Sequence, residues 1–140
     1  MTPHTIGLWS PAPGSVKSTV AQIICELTGA RILPFAETLK LMLKPLLAAA
    51  GYNQRDIYHA LYTTEGKQER LYFIPGMPTT RDLMQTLGTE WGRYRIHSDL
   101  WVALWSSRAR HAGSRIVADD VRFPNEAAAV RSMGGQLWCI

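Results

Sequence analysis

The chain is short of the patterns that mark several large classes of protein. It has two cysteines, Cys25 and Cys139, with the spacing of neither a metal site nor a redox pair. Both are expected to be buried, reduced thiols of a cytoplasmic protein. The four histidines, His4, His59, His97 and His111, lie far apart and form no His-x-x-x-His pair, which argues against a transition-metal centre. The longest apolar run, around Leu39 to Ala50, is interrupted by Lys40, Lys44 and Pro45, so no membrane span is expected. Met1-Thr2-Pro3-His4 is not a basic segment leading into an apolar block, so no signal peptide is expected. No repeat, linker or long block of one charge is present, and no Ser-His-Asp or Cys-His arrangement points to a nucleophilic hydrolase.

What is present fits one domain of 140 residues, long enough to bury a core. The net charge of +4 rests on 11 arginines and 4 lysines. Arginine's planar fork suits bidentate contact with phosphate, so the bias favours a phosphorylated partner. The basic residues are scattered among 11 acids, which argues against a duplex-binding surface and makes nucleic acid an unlikely partner.

Strand and helix signals alternate. An apolar strand over Thr5 to Ser10 precedes a helix whose buried face is expected to be Val20, Ile23, Ile24 and Leu27, closed by Gly29. A strand at Arg31 to Phe35 leads to a helix from Ala36 to Ala50, kinked or broken at Pro45 and stopped by Gly51. Asn53 caps a helix through Leu61, and Thr63 to Pro78 reads as a mobile loop. Further helices are expected over Thr80 to Leu87 and, capped by Ser98, Asp99 to His111. A strand at Arg115 to Ala118, a helix from Pro124 to Met133 and a strand from Gln136 to Ile140 complete the chain. Trp91, Trp101 and Trp105 read as core packing. Such alternation predicts an α/β fold, a parallel sheet with right-handed crossovers, whose ligands bind at the carboxyl ends of the strands.

Two signals fall at that edge. Thr5 to Thr19, TIGLWSPAPGSVKST, reads as strand, tight loop, Lys-Ser-Thr and helix, the layout of a nucleotide-phosphate cradle. Backbone N–H groups from Gly14 through Ser15, Val16, Lys17 and Ser18 to Thr19 would face the phosphates, Lys17 would reach the β and γ groups, and Ser18 would ligate magnesium. The segment departs from the pattern at Pro11 and Val16, where glycine is expected. An ordinary strand–turn–helix corner is the competing reading. The second signal is Asp119-Asp120-Val121-Arg122 after the third strand, where Asp120 is the candidate to hold magnesium or its water shell.

Four runs carry a resemblance. Arg81 to Arg93, RDLMQTLGTEWGR, Asp99-Leu100-Trp101-Val102, and Asp120 to Ala127, DVRFPNEA, resemble the deoxynucleoside monophosphate kinases of tailed bacteriophages. Phe35 to Lys40 is similar to that family's Phe-Ala-Asp-Pro-Leu-Lys segment. The resemblance implies a three-layer P-loop kinase-like fold with a small parallel sheet, C-terminally short, and an acceptor-binding helical insertion at about 36–111. It also implies transfer of the γ-phosphoryl group of ATP, with Mg2+, to a deoxynucleoside monophosphate in the host cytoplasm. Lys17, Asp120 and Arg122 would be catalytic, and Phe35, Arg81, Gln85, Arg93 and Arg122 would hold the acceptor. Phe35 would stack on its base, and Gln85, four residues after Arg81, would read a base edge. The departures at Pro11 and Val16, and a chain that stops at Ile140 before a lid, keep a second reading open: a nucleotide-binding module with weak or no turnover. A bare strand at Ile140 would also leave a sheet edge that invites a second copy.

Overall fold

A computed structural model describes residues 5–12 and 15–140; His4, Pro13 and Gly14 lie outside the described residues. The chain divides into two compact units, one formed by the chain up to Ala36 with Asp99–Ile140, the other by Glu37–Ser98.

The first unit is an α/β sandwich on a four-stranded, all-parallel sheet in the order β2-β3-β1-β4. Its strands are β1 (Thr5–Trp9), β2 (Arg31–Ile32), β3 (Ile116–Ala118) and β4 (Gln136–Cys139). The pleat sends successive side chains to opposite faces. Leu8 and Val117 pack with Ala21 and Ile24 of α1 (Lys17–Thr28) on one face. Ile116 and Ala118 face the other way, onto Trp105 and Ala109 of α6 (Leu100–Arg110) and Ala129 and Val130 of α7 (Pro124–Ser132). Gly7 lets α7 approach, since a Cβ there would meet Val130 Cγ2 at 3.1 Å and Leu137 Cδ2 at 2.9 Å.

Several expectations are corrected. The buried stripe of α1 is Ala21 and Ile24; Ile23 and Leu27 are exposed. The helix ends where Gly29 turns left-handed at φ 73°, as its glycine signal implied. Trp101 and Trp105 are buried, but Trp91 is exposed. Cys25 is half-buried and Cys139 exposed, both as free thiols. Burial, then the nearby Asp119 and Glu26 charges, pushes the Cys25 thiol up from its ordinary value.

The second unit is helical: α2 (Glu37–Ala49), α3 (Gln54–Tyr62), α4 (Thr64–Gln68), α5 (Thr80–Gln85) and a π-helix (Thr86–Ile96). Its core is Leu43, Leu47, Ala60, Leu61 and Leu71. Asn53 caps α3 by accepting from Asp56 N at 2.8 Å. Pro45 lies inside α2 without ending it. The stretch expected to be a mobile loop instead contains α4, capped by Thr63, and a bridge between Arg70 and Thr79 that buries Leu71. Thr79 and Asp82 form a reciprocal cap at α5, and the Thr79 N–H and hydroxyl hold the Asp82 carboxyl below its ordinary range. The helix expected to stop at Leu87 continues as the π-helix, with Gly88 and Gly92 buried and Gly88 against Leu39. No described helix is long and apolar enough to cross a membrane.

Candidate functional site

The carboxyl ends of β1 and β3 bring together the first turn of α1 and the two acids. After β1, Ser10 Oγ accepts from Ala12 N at 3.2 Å and donates to Ala12 O at 3.1 Å, which turns the chain sharply out of the sheet. Val16 precedes α1 at φ −83° and ψ 28°, a conformation open to any residue. Valine is accommodated there without backbone strain, its side chain exposed. Lys17 begins the helix and its Nζ donates to Ser15 Oγ at 2.9 Å. The first turn of α1 carries no acid of its own to occupy its N–H groups and the positive end of its dipole. Ser18 and Thr19 are exposed on that turn.

Ser18 Oγ donates to Asp119 Oδ2 at 3.3 Å. The acid beside the expected magnesium-binding hydroxyl is therefore Asp119, and Asp120 is turned elsewhere. The pleat explains the exchange. Val117 faces α1, and Asp119, two residues on, points to the same side; Asp120 follows Ala118 to the opposite face. There Asp120 Oδ1 accepts from Phe35 N at 2.8 Å and Oδ2 from Ala36 N at 2.9 Å, tying the chain after β2 to the end of β3. Burial pushes its carboxyl up to about 6, against the two N–H donors; the Asp119 and Glu126 charges add to the rise.

That shift has a checkable sign. The folded value of about 6 lies above the ordinary 3.8, so the native state binds the proton more tightly. The contribution of Asp120 is fully present below about pH 4 and is lost as pH rises through 6, a falling component of about 1–3 kcal/mol. In Asp120→Asn this component disappears, and one backbone N–H faces an amide that cannot accept it. Urea unfolding from pH 4 to 7 should show the variant less stable throughout, with the gap narrowing as pH rises. A constant gap would refute this assignment.

Phe35 is also reassigned. It is buried and stacked on Trp105, with ring centroids 4.3 Å apart and planes at 22°, while Trp105 Nε1 donates to Leu33 O at 2.8 Å. A ring so engaged belongs to the core and is not free to stack on a base. Arg122 is exposed, with no acid in salt-bridge reach among the described residues. Its backbone is fixed, because Glu126 Oε1 accepts from Arg122 N at 2.8 Å and Phe123 N at 2.9 Å. In the helical unit, Arg81 and Gln85 are exposed one turn apart on α5, and Arg93 is half-buried in the π-helix. A cavity of about 200 Å³ lies at the opposite, amino ends of the strands; Arg115 is its one charged lining residue, so the acids and the loop define the other edge.

Magnesium takes hard oxygen donors and usually keeps water and substrate phosphate among its ligands, so one or two protein groups suffice. The Ser18 hydroxyl and Asp119 carboxylate fit that requirement. Of the Asp119-Asp120 pair, the sequence reading selects Asp120, whereas the pleat carried through β3 sets Asp119 beside Ser18.

Together these features define an α/β protein whose parallel sheet is compatible with a kinase-like fold and whose strand ends suit an anion and a hard cation. The chain is 38% identical over 69 residues to the deoxynucleoside-5'-monophosphate kinase of Escherichia phage T5. The match covers 49% of this chain and 27% of that relative, so the chain spans about a quarter of the protein it resembles. No family model matches the chain.

Proposed function

We propose that the protein is an ATP-dependent phosphotransferase acting on a deoxynucleoside monophosphate. The observation that carries the reading is the Ser18–Asp119 contact, which joins the helix after β1 to the acid after β3 at one sheet edge. The similarity to a deoxynucleoside monophosphate kinase supports it. In this reading the N–H groups at the start of α1 hold the triphosphate, and Lys17 leaves Ser15 to reach the outer phosphates. Ser18 and Asp119 would hold magnesium, which when bound neutralises charge on the transferring group. Asp120 is a positioning residue, holding Phe35 and Ala36 in place. Arg122 clamps the acceptor phosphate.

A coupled assay for ADP formation with each common deoxynucleoside monophosphate tests the reaction; no ADP with any of them defeats it. Arg122→Ala should weaken one acceptor-dependent step by about 1.5–3 kcal/mol while leaving ATP affinity unchanged, because one charge-assisted contact is lost. Equal loss of ATP affinity would move Arg122 to the donor side.

A second reading, a nucleotide-binding module with weak or no turnover, is favoured by valine at position 16. Measurable ATP affinity without ADP formation selects it.

A further inference from the structure

The cavity at the amino ends of the strands takes no part in the site described above. All of its lining belongs to the sheet unit. Ile24 of α1 and Ile116 and Val117 of β3, all buried, and the half-buried Ile6 of β1 make its walls apolar. An aliphatic cavity of about 150 Å³ admits one benzene ring. This one, at about 200 Å³, has room for a single ring, or a branched chain of similar size, with one small polar group.

The polar part of the lining has one sign. It holds no acid, and the guanidinium of Arg115 has none within salt-bridge reach among the described residues. α1 ends at this cavity, and a cation commonly serves a helix C-terminus. That end is already closed from within. Gly29 N donates to Cys25 O at 2.9 Å, and Thr28 Oγ1 donates to Ile24 O at 2.6 Å while accepting from Ala30 N at 3.3 Å. Arg115 is therefore not needed as a cap. Gln136 Oε1 accepts from Trp138 Nε1 at 3.2 Å, which leaves the Gln136 amide N–H groups as donors. Apolar walls, a guanidinium, an amide donor and no acid suit an anion with an apolar body. Arginine's planar fork matches a carboxylate in particular.

We propose that this cavity binds a small monocarboxylate with a compact apolar body, its carboxylate on Arg115 and its ring or branched chain among Ile6, Ile24 and Ile116. The site shares no residue with the loop after β1, the two acids or Arg122, and so stands or falls apart from the kinase reading.

The test uses the full chain, with isoleucine δ1 methyl groups labelled for NMR and benzoate as the probe. Saturable shifts of the Ile6, Ile24 and Ile116 methyl signals are expected at millimolar benzoate. Benzyl alcohol keeps the ring without the charge, and acetate keeps the charge without the ring; each should bind about tenfold more weakly. Arg115→Gln should weaken benzoate about tenfold and leave benzyl alcohol unchanged. Arg115 is exposed, so this variant should melt as the parent does. Methyl signals unmoved by benzoate would overturn the proposal. So would equal affinity for benzoate and benzyl alcohol, or a normally melting Arg115→Gln variant that binds benzoate as tightly as the parent. Benzoate binding by a parent chain that forms no ADP supports this site while removing the kinase reading.

Discussion

Lys17→Ala should lower ATP affinity by about 10- to 100-fold, the loss of one charge-assisted contact of about 1.5–3 kcal/mol. Turnover should fall further, by about 10²–10³, because charge on the transferring group is then met by one donor fewer. The fold should be unaffected. Lys17 is the first residue of α1, its ammonium contacts only Ser15 Oγ among the described residues, and alanine is the best helix former. Calorimetry with ATP and a thermal melt decide the matter together. An unchanged affinity in a variant of normal stability would show that α1 does not receive a triphosphate.

The largest effect on stability is expected at Gly66. A Cβ there would lie on the His59 carbonyl oxygen and 2.8 Å from Thr63 Oγ1. Neither neighbour can retreat. The His59 carbonyl accepts from Thr63 N at 3.3 Å and from Thr63 Oγ1 at 2.7 Å, and Thr63 Oγ1 in turn accepts from Gly66 N at 3.0 Å. Gly66→Ala should therefore destabilise the helical unit by about 3 kcal/mol or more, the penalty of a backbone overlap that repacking cannot relieve. Gly51→Ala provides the contrast. That glycine has φ 95° and open space around it, so alanine costs only the left-handed strain of about 1–2 kcal/mol. Urea unfolding of both variants checks the ranking, and equal losses would contradict it.

Much of the fold was legible because its signals are local. Asn53 as a cap, Gly29 as a helix stop and the apolar strands all act through a residue's own backbone preference or its immediate neighbours. The ordered segment after Thr63 was not legible, since α4 spans a single short turn and depends on Leu71 finding a core supplied by α2 and α3. The π-helix was equally hidden. Its i to i+5 bonding, seen as His97 N donating to Gly92 O at 3.0 Å, has no composition of its own. Near the candidate site, the start of α1 at Lys17 was read directly from the Lys-Ser-Thr signal. The exchange of Asp119 for Asp120 turned on which face of the sheet each acid takes, and Phe35 on whether a partner ring lay within reach. Both depend on residues remote in the chain: Ser18 and Asp119 in one case, Phe35 and Trp105 in the other.

The strand order sets the sequence of events in assembly. β1 pairs with β3 and β4, and β2 pairs with β3, so no two strands can join until Ile116 exists. Thr5 meets Ile116, and Ile6 meets both Val117 and Gln136. During synthesis at about 5–20 residues per second, β1 is exposed for on the order of ten seconds before any partner is made. The segment 37–98, which has its own core, is made entirely within that wait. Closing so long a loop is slow and leaves an apolar strand open to mispairing meanwhile. The pairing of Ser18 with Asp119 needs residues from both ends of that delay, so the candidate site is among the last features of the molecule to form.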